Sequence, residues 1–496
     1  MPPDIPLNPV QAPTVSALES GAATGEPGPL KRIDTHMSHL FLGRDHAYKL
    51  KRALRHPFAD LSTLEARRRL CEAELEVNRP LAPGLYEAVF PVVGMADGSI
   101  RVGGSGPPLD YVVRMKRFED RALLSELADD GRLDAGQVER TAQRVAAFHR
   151  TLPPHPETGR PPDYHRIIEG LGQTEAEAAQ AMGLESASEP LLSRLEQELA
   201  RRGPLIEARR KAGKVVRGHG DLHLRNICLY RGEPTPFDAL EFDPALATGD
   251  LLYDVAFLFM DLRARGLDAL ANRAMNAYWD AAGEGEDALA LLPLFTAMRA
   301  AIRMAVSVEA RDLAQAARYR ALAHALLQPS EPLLMAVGGL SGTGKTTLAR
   351  AVAPGLGGPC GARILRTDVI RKHGPSQADP YAPQARTDVY ARMAEHARAA
   401  LDADAAVIAD ATFQDEAQRD AIEQVAEGAR FVGVWLKGSM EVRLSRVAGR
   451  HGDASDAGPA VAASQTEPTD LGPAWRVFDA DQPTEALAEA VLAVVE

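Results

Sequence analysis

Cysteine and long apolar runs are both scarce in this chain of 496 residues. Its 3 cysteines, Cys71, Cys228 and Cys360, are widely separated and show no CxxC spacing. This excludes a disulfide scaffold and favours a reducing compartment. The most apolar stretch, residues 251–262, is interrupted by Asp254 and is shorter than the roughly 18 residues that a membrane-spanning helix needs. We therefore expect no membrane-spanning helix.

A secretory signal is also missing from the N-terminal sequence. The first thirty residues contain prolines, glycines and small residues, without a basic start followed by an apolar block. This composition predicts that residues 1–28 form a disordered tail. Together with the absence of a membrane span, it predicts a cytoplasmic protein.

An excess of positive charge is absent as well. The chain has 56 Lys and Arg residues against 68 Asp and Glu, which gives a net charge of −12. Residues 1–330 carry −5 (40 basic, 45 acidic) and residues 331–496 carry −7 (16 basic, 23 acidic). Neither part has the basic balance of a protein that binds nucleic acid through bulk electrostatic attraction.

The length allows two to four domains at roughly 100–200 residues each. A polar, proline-containing break at residues 328–332 predicts a boundary between domains at 29–328 and 332–496. In the first, short strands precede a mostly helical region; in the second, strands alternate with helices, which predicts a parallel sheet. The predicted strands are 38–42, 46–51 and 111–115 in the first domain, and 333–337, 406–409 and 431–436 in the second.

The second domain begins with a phosphate-binding motif. Residues 339–346 read GLSGTGKT and match GxxxxGK[ST], with an apolar strand before and a helical pattern after. Backbone N–H groups of such a loop bind phosphate, the lysine contributes charge, and the last hydroxyl binds Mg²⁺. The predicted nucleotide-binding residues are Gly339, Ser341, Gly342, Thr343, Gly344, Lys345, Thr346 and Thr347.

Three charged patterns follow this P-loop. Asp368 and Arg371 lie three residues apart, which suits a base for an attacking hydroxyl and a cation for a phosphate, or a surface ion pair. Asp410 ends an apolar strand, where a carboxylate can orient Mg²⁺ or can merely cap a turn. The third pattern is a stripe of arginines on one helical face, which either closes over phosphates or is solvated. Its members are Arg443, Arg446 and Arg450.

These motifs resemble the zeta-toxin and polynucleotide-kinase-like branch of P-loop kinases over residues 332–480. The resemblance implies that Asp368 is the general base and that Arg371 contacts the substrate. It also implies that Arg446 or Arg450 acts on the transferred phosphoryl group. A kinase for nucleic-acid ends is one reading of this resemblance, which the net charge of the region opposes.

The first domain contains a pattern typical of a kinase catalytic loop. Residues 219–226 read HGDLHLRN and place Asp221 and Asn226 at the spacing of D-x-x-x-x-N. In such a loop the aspartate accepts the proton of the substrate hydroxyl and the asparagine holds Mg²⁺. Downstream, Asp238 and Glu241 are both candidates for a second metal-binding carboxylate.

Two lysines upstream are candidates for a phosphate contact. Lys49 and Lys51 lie two residues apart on a predicted strand and therefore on one face. A glutamate of the next helix, Glu74 or Glu72, would position one of them. No glycine-rich loop precedes these lysines, and the turn at residues 35–38 takes its place.

The first domain resembles the aminoglycoside phosphotransferase and choline kinase family. The resemblance lies in HGDLHLRN, in the helix ending VAAFH at residue 149 and in GDLLYDVAFL at residues 249–258, and it covers about residues 31–327. It implies a two-lobed kinase fold with ATP held between the lobes. Lys49 then contacts phosphate, Asp221 is the base and Asn226 binds metal. Matching the family's IDW to residues 240–242 makes Glu241 the metal-binding acid, with Asp238 as the alternative.

The predicted fold is thus an α+β two-lobed protein-kinase-like domain followed by an α/β P-loop domain with a parallel sheet. The arrangement resembles bacterial proteins called bifunctional aminoglycoside phosphotransferase/ATP-binding proteins. We expect a kinase with two ATP and Mg²⁺ sites that transfers the γ-phosphoryl group to a hydroxyl of a small molecule. The alternative is a nucleotide-binding sensor or regulator in which one or both domains do not turn over. The acceptor and the oligomeric state are not specified by the sequence.

Overall fold

A computed structural model of the protein describes residues 7–56, 59–181, 190–373, 383–448 and 459–495. The chain divides into two compact units. The first comprises Met1–Asp261 and Arg299–Arg320, and the second comprises Leu262–Met298 and Ala321–Glu496. A single cut at residues 328–332 does not reproduce this division, and that domain boundary stays a prediction.

The first unit contains twelve described strands and eight described helices that lie wholly within it. The strands are β1 (Lys31–Asp34), β2 (Ser38–Leu42), β3 (His46–Lys51), β4 (Arg55–His56), β5 (Ala59–Asp60), β6 (Tyr86–Gly94), β7 (Ile100–Val102), β8 (Pro108–Lys116), β9 (Val215–Arg217), β10 (Ile227–Tyr230), β11 (Glu233–Pro236) and β12 (Thr248–Asp250). The helices are α1 (Ala12–Glu19), α2 (Leu64–Asn78), α3 (Leu124–Asp129), α4 (Ala135–His149), α5 (Pro161–Gly170), α6 (Gly172–Ala181), α7 (Leu191–Lys211) and α8 (Pro244–Ala247).

A six-stranded antiparallel sheet forms the N-terminal lobe of this unit, in the order β1-β2-β3-β8-β6-β7. Strands β2 and β3 coincide with the predicted ranges 38–42 and 46–51. Both faces of β3 are largely buried, because α1 packs on one side of the sheet and α2 on the other. The two lysines of β3 therefore lie inside the lobe.

A threonine caps the start of helix α2. The Thr63 hydroxyl accepts a hydrogen bond from the Ala66 N–H. The Glu65 carboxylate, in the first turn, pairs with arginines of the next turn. The helix buries a face at spacings of three and four residues, and that face includes Glu74.

The disorder predicted for residues 1–28 is wrong for the described part of that segment. Helix α1 buries Val15 and Leu18 in a cluster with Phe41 and Leu50 of the sheet. The Gln11 side chain, also buried, donates hydrogen bonds into the lobe, to the Asp110 carboxylate and to a β3 carbonyl. Local composition predicted disorder, but the two apolar residues three apart are stabilised by tertiary packing that composition does not report.

The C-terminal lobe is mostly helical, as predicted. Between its helices lie two short antiparallel pairs, β9 with β12 and β10 with β11. The loop that joins β9 to β10 carries residues 218–226, with a 3-10 turn at Leu224–Asn226. Both ends of this loop are thus anchored in paired strands.

The second unit is an α/β fold with the predicted parallel sheet. Its strands are β13 (Leu333–Gly339), β14 (Arg363–Arg366), β15 (Ala406–Asp410), β16 (Arg430–Lys437) and β17 (Trp475–Asp479). All neighbours pair in parallel, in the order β14-β15-β13-β16-β17. The three predicted strands lie within β13, β15 and β16. Because β13 is central, the P-loop and the end of β15 meet at the carboxyl edge of the sheet, where α/β folds bind ligands.

The helices of the second unit surround this sheet and include part of the predicted first domain. They are α10 (Asp268–Ala282), α13 (Lys345–Val352), α14 (Thr367–His373), α15 (Pro383–Asp402), α16 (Glu416–Val425), α17 (Met440–Ala448), α18 (Pro459–Ser464) and α19 (Thr484–Val495), with 3-10 turns at Glu286–Leu291 and Ala353–Gly355. Three further helices contain residues of both units: α9 (Leu251–Ala264), α11 (Leu292–Glu309) and α12 (Leu313–Leu326).

One described helical segment, Glu286–Glu309, is long and apolar enough to cross a membrane. The sequence had pointed instead to residues 251–262 as the most apolar stretch. In the structure, 78% of the most apolar window of Glu286–Glu309 is buried inside the protein. Such burial is typical of a core helix, which passes the same composition test.

The packing of α1 makes a testable prediction. Leu18→Ala removes a fully buried side chain and is expected to lower the free energy of unfolding by about 2–5 kcal/mol. Chemical denaturation of the full chain measures this change. Ser16→Ala, an exposed change in the same helix, serves as the control. Equal stability of the two variants would mean that α1 does not belong to the lobe.

Candidate active sites

A buried carboxylate fixes the catalytic-loop segment of the first unit. Asp254, in α9, accepts hydrogen bonds from the N–H groups of His219 (2.9 Å) and Gly220 (2.7 Å). His149 Nε2, at the end of α4, lies 3.0 Å from Asp254 Oδ2. Burial alone would raise the pKa of Asp254, but His149, through its hydrogen bond and its charge, together with His219 and Arg299, lowers that pKa by more. A Cβ at Gly218 would lie 2.5 Å from the same carboxylate, so the close approach requires glycine.

Asp221 and Asn226 lie together in this loop, as their spacing predicts. Asn226 Nδ2 donates to Asp221 Oδ2 at 2.9 Å and to the Asp221 carbonyl at 2.9 Å. Removal of water raises the pKa of Asp221, but the His223 ring, with Nε2 3.4 Å from Oδ2, and the charges of His219 and Arg303 together lower it by more. Asp221 is therefore ionised at neutral pH, and its half-exposed carboxylate can accept a proton.

His219 supports the loop through both ring nitrogens. Its Nε2 is 2.9 Å from the Phe237 carbonyl, which only a donor can bond, and its Nδ1 accepts from the Asp221 N–H at 3.3 Å. One donor and one acceptor correspond to a neutral imidazole. Burial lowers the pKa of His219, which agrees with that state.

Five charged side chains form a cluster next to this loop. Glu74 is fully buried and bridges the two lysines of β3, with Oε1 2.8 Å from Lys49 Nζ and Oε2 2.6 Å from Lys51 Nζ. Lys49 also contacts Asp238 (2.5 Å), and Lys51 contacts Glu241 (2.5 Å). Each lysine thus has two carboxylate partners. The other candidate, Glu72, pairs with an arginine on the exposed face of α2.

The two halves of this cluster differ in exposure. The Asp238 side chain is 40% exposed and Lys49 is 13% exposed, whereas Glu241 and Lys51 are 8% and 1% exposed. Burial lowers the pKa of Lys49, but Asp238 and Glu74 raise it well above its ordinary value. Burial likewise raises the pKa of Asp238, and Lys49 together with Lys51 lowers it by more. Both charges therefore persist, and only the Lys49–Asp238 pair is open to a ligand.

Three distant elements hold Asp238 in place. Its N–H donates to the Tyr86 hydroxyl at 3.1 Å, and the Ala239 N–H donates to Asn78 Oδ1 at 2.8 Å. The Leu240 N–H donates to the His219 carbonyl at 2.9 Å. Asp238 itself has φ +60°, a left-handed conformation that is uncommon outside glycine. The sequence does not indicate Asn78 and Tyr86, since no local pattern links them to residue 238.

The β1–β2 turn occupies the place of a glycine-rich loop. It is closed by hydrogen bonds from the Thr35 N–H to the Ser38 carbonyl (2.9 Å) and from the Ser38 N–H to Thr35 Oγ1 (3.0 Å). Arg52 Nη1 donates to the Thr35 carbonyl at 2.9 Å. The turn is thus held by side chains and offers a threonine and a serine where kinases have glycines.

In the second unit, the P-loop joins the end of β13 to the start of α13. Gly342 and Gly344 each have φ +89°, and a Cβ on Gly342 would lie 2.4 Å from the Arg443 carbonyl oxygen. Glycine is required here both by conformation and by space. Gly339 has φ +142°, Ser341 and Thr343 are buried, and Thr347 is exposed in the first turn of α13.

The P-loop hydroxyl and the β15 carboxylate meet. Thr346 Oγ1 donates to Asp410 Oδ2 at 2.6 Å, and Arg366 Nε lies 3.7 Å from the same oxygen. Lys345 Nζ donates to the Leu340 carbonyl at 3.1 Å. Burial raises the pKa of Asp410, against the opposing effects of Lys345 and Thr346. A hydroxyl and a carboxylate are oxygen donors of the kind Mg²⁺ prefers.

The described residues contain no cluster of three or more His, Cys, Asp and Glu side chains arranged to hold a metal. Mg²⁺ does not need one, because it keeps several waters and binds proteins through one or two carboxylates plus substrate phosphates.

Asp368 and Arg371 lie on α14, which follows β14 directly. Arg371 Nη2 is 2.7 Å from Asp368 Oδ1, which is the ion pair that the spacing allows. Both side chains are about one fifth exposed. Since β14 neighbours β15, the start of α14 lies at the same sheet edge as Asp410, and Asp368 contributes to the raised pKa of Asp410.

The two described arginines of the stripe make different contacts. Arg443 is buried and binds the carbonyls of Ser341 (3.0 Å) and Ala462 (2.7 Å), so it braces the loop. Arg446 Nη1 donates to the Ala480 carbonyl at 3.0 Å and lies 3.4 Å from the Thr343 carbonyl, beside the P-loop. Arg450 lies outside the described residues.

Two further residues at this edge were missed from sequence. Arg366 is the last residue of β14, which has only two apolar residues between two arginines, so the apolar-strand signal that marks Asp410 does not indicate it. Tyr390, in α15, bonds Thr412 Oγ1 at 3.0 Å and accepts from the Phe413 N–H at 3.3 Å. No local pattern indicates Tyr390.

Two parts of the chain match two different protein families. Residues 56–292 match the phosphotransferase enzyme family, and residues 334–469 match an AAA domain family. An uncharacterized protein of Mycobacterium tuberculosis strain H37Rv is 30% identical over 460 residues, which cover 87% of this chain and 88% of that protein. A protein of Mycobacterium bovis matches with the same figures.

The chain belongs to the family of these mycobacterial proteins. Its two family matches confirm the predicted order, in which a phosphotransferase-like domain precedes a P-loop kinase-like domain. They also confirm the predicted fold class. For this family the class of activity that the matches support is phosphoryl transfer.

Three solved structures are similar to parts of the chain. A gluconokinase from Sinorhizobium meliloti 1021 is 22% identical, covers 33% of this chain and 90% of its own, and has a TM-score of 0.27. The GDP complex of aminoglycoside 2'-phosphotransferase-IIIa is 16% identical over 60% of this chain and 92% of its own, with a TM-score of 0.34. A choline/ethanolamine kinase family protein from Mesorhizobium loti is 14% identical over 64% and 95%, with a TM-score of 0.37.

The role of Asp254 gives a pH-dependent prediction. Asp254→Asn replaces the charged acceptor of two loop N–H groups and is expected to lower the free energy of unfolding at pH 7 by about 1.5–3 kcal/mol. Because the folded pKa is below the unfolded value of 3.8, this contribution is present above pH 3.8 and is lost as the pH falls through the folded pKa. The difference from wild type should therefore shrink only in strong acid.

Denaturant titrations across pH measure that difference. The exposed change Asp120→Asn is the control and should stay within about 0.5 kcal/mol of wild type. A difference that is constant down to pH 2, or absent at pH 7, would contradict the role given to Asp254.

Proposed function

We propose that the chain is an ATP- and Mg²⁺-dependent kinase with two sites, each transferring the γ-phosphoryl group to a hydroxyl of a small molecule. The observation that carries the proposal is the contact of Lys49 with both Glu74 and Asp238, beside Asp221 and Asn226. A lysine held by a helical glutamate next to such a loop is the arrangement that kinases use. The family matches support the class of reaction, and the geometry supports the individual roles.

The residues of the first site fit the nucleotide and metal. The oxygens of Asp221, Asn226 and Asp238 are the ligand type that Mg²⁺ takes. Bound ATP would supply the phosphoryl group, and bound Mg²⁺ would neutralise the negative charge of the phosphates. Asp221 would accept the hydroxyl proton, and its position is fixed by the Asn226 amide. General-base help of this kind contributes roughly 10²–10⁴ in rate.

We assign the metal to Asp238 and the phosphate contact to Lys49. Asp238 and Lys49 are the exposed members of the cluster, whereas Glu241 and Lys51 form a dry pair. Breaking a buried ion pair leaves one charge uncompensated and destabilises the fold by about 3–5 kcal/mol. Lys51 and Glu241 therefore act as structural residues that hold Glu74 and the neighbouring Lys49–Asp238 pair in place. Glu241 as the metal ligand is the alternative that the IDW resemblance favours.

The second site fits the same chemistry. The glycine-rich loop supplies backbone donors, Lys345 supplies a charge, and Thr346 with Asp410 offers oxygens for Mg²⁺. At the acceptor side, Asp368 would serve as the base and Arg371 as the substrate contact. Arg446, beside the P-loop, and Arg450, outside the described residues, would act on the transferred group.

Two observations favour a second candidate function, nucleotide sensing without turnover in the first unit. Both candidate metal acids are engaged by lysines, and the β1–β2 turn is held closed by Arg52 where kinases have a flexible glycine loop. A protein of this kind would bind nucleotide without releasing ADP when an acceptor is added.

A metabolite panel tests the two-site kinase. Wild type, Asp221→Ala and Lys345→Ala are incubated with MgATP and a library of sugars, sugar acids, amino alcohols and aminoglycosides, and the phosphorylated product is identified by mass spectrometry. We expect each variant to lose at least about 100-fold in one acceptor-dependent activity and to keep the other, because each removes one site.

ADP release that persists unchanged in both variants with the true acceptor would refute the proposal. Tight ATP binding by calorimetry without acceptor-dependent ADP release would favour the sensor. Labelled 5′-hydroxyl oligonucleotides in the same panel test a nucleic-acid end kinase, which we expect to fail because the second domain is acidic.

The metal assignment has its own test. Asp238→Asn should raise the Mg²⁺ concentration that gives half-maximal activity of the first site by at least about tenfold, because the exposed carboxylate is lost. Glu241→Gln should mainly lower the free energy of unfolding, because the buried Lys51 then has one carboxylate partner, Glu74, instead of two. Activity against Mg²⁺ concentration is measured in a Lys345→Ala background. The reverse pattern would assign the metal to Glu241.

A further inference from the structure

A helix counted with the phosphotransferase family belongs to the unit that holds the P-loop. The phosphotransferase match extends to residue 292, but Leu262–Met298 lie in the second compact unit. Within that unit, α10 packs against α13 and the 3-10 turn at Ala353–Gly355, and the turn Glu286–Leu291 packs against α15. This segment therefore surrounds one side of the P-loop sheet.

Helix α10 covers the open edge of that sheet. Strand β14 is an edge strand, so one side of its backbone has no neighbouring strand. Asn276 Oδ1 accepts from the Ile364 N–H at 2.7 Å, and its Nδ2 donates to the Ala362 carbonyl at 3.2 Å. One turn earlier, Asn272 Nδ2 donates to the carbonyls of Cys360 (2.8 Å) and Ala362 (2.9 Å). Buried amide side chains thus replace the missing strand.

A buried charge fixes the same strand. Arg363 Nε is 3.1 Å from Glu286 Oε2, its Nη2 is 2.6 Å from Asp280 Oδ1, and its Nη1 is 3.0 Å from Asn276 Oδ1. Burial lowers the pKa of Arg363, but Glu286 and Asp280 raise it by more, so the guanidinium stays charged. A buried guanidinium tolerates few other placements, and the three side chains that bind it here come from α10 and the turn after it.

The strand held in this way leads directly into the candidate site. Three residues after Arg363, Arg366 faces Asp410 at 3.7 Å, and α14 with Asp368 begins at Thr367. A strand rises about 3.3 Å per residue and a one-residue slip reverses every side chain. Fixing Arg363 and Ile364 therefore fixes where Arg366 and Asp368 lie.

We propose that Asn276 and Glu286 are positioning residues of the P-loop site, acting through β14 on Arg366 and Asp368. Part of the region matched to the phosphotransferase family is then a working part of the second kinase. The catalytic consequence rests on the proposed function of the P-loop site, whereas the effect on β14 does not.

The test uses the full chain in an Asp221→Ala background, so that the first site is silent. Asn276→Leu removes the amide contacts at similar volume. Asn272→Leu, the same change one turn earlier, is the matched control: it removes contacts to the Cys360 and Ala362 carbonyls and to Asn276 Nδ2 (3.3 Å), but none to the strand itself. Three quantities are measured: amide hydrogen exchange of residues 363–368, the Kd for MgATP, and ADP release from MgATP with water as acceptor.

In Asn276→Leu we expect exchange of residues 363–368 to rise at least about tenfold and ADP release to fall at least about tenfold. The Kd for MgATP should stay within about twofold, because the P-loop itself is untouched. A merely structural role would change the Kd and the rate together. Asn272→Leu should leave the exchange of residues 363–368 and the rate within about threefold of the background. Glu286→Gln keeps a hydrogen-bond acceptor, so its exchange of residues 363–368 and its rate of ADP release should lie between those of Asn276→Leu and Asn272→Leu.

Exchange of residues 363–368 no faster in Asn276→Leu than in Asn272→Leu would overturn the inference, and so would an equal fall in rate in both. A Lys345→Ala chain separates this failure from that of the proposed function. If Lys345→Ala does not lower ADP release, the P-loop site is not the source of turnover, and the exchange measurement alone decides the inference.

Discussion

The first unit depends on the pairing of one buried carboxylate, Glu74, with two lysines. An unpaired charge at that depth would cost several kcal/mol, so α2 and β3 are stable only in the relative position that brings Lys49 and Lys51 to it. That position also sets which lysine reaches the catalytic loop. Lys49 lies on the open side with Asp238, and Lys51 is enclosed with Glu241.

The same constraint operates wherever a site loop must be held still. Asp254 is not placed to react, yet it accepts hydrogen bonds from two N–H groups and thereby orients the loop that carries Asp221. In the second unit, Arg363 performs the corresponding task for the strand that leads to Asp368. In each case a buried charge binds backbone or a fixed partner, and that contact holds the position of a candidate reactive group within five residues along the chain.

The sequence can single out the candidate reactive groups because their spacing is local. Asp221 with Asn226, and the glycines before Lys345, each lie within eight residues. Glu74 could also have been preferred to Glu72, since it follows the buried Leu70 and Cys71 at helical spacing. Supports such as Asn78, Asp254 and Asn276 act across tens of residues, and only tertiary packing brings them to their partners. The helix at residues 12–19 was missed for the same reason.

The doubled lysines give the first site a property that a single lysine would not. With one lysine, drawing it from its glutamate toward phosphate would leave Glu74 buried and unpaired. Here Lys51 stays on Glu74 and Glu241, so Lys49 can exchange Asp238 for a phosphate while every buried carboxylate keeps a cation. Asp238, which would be released at the same time, is 40% exposed, so solvent can stabilise its charge when it loses its partner. In the proposed nucleotide-bound state, the movement would therefore be restricted to the exposed pair.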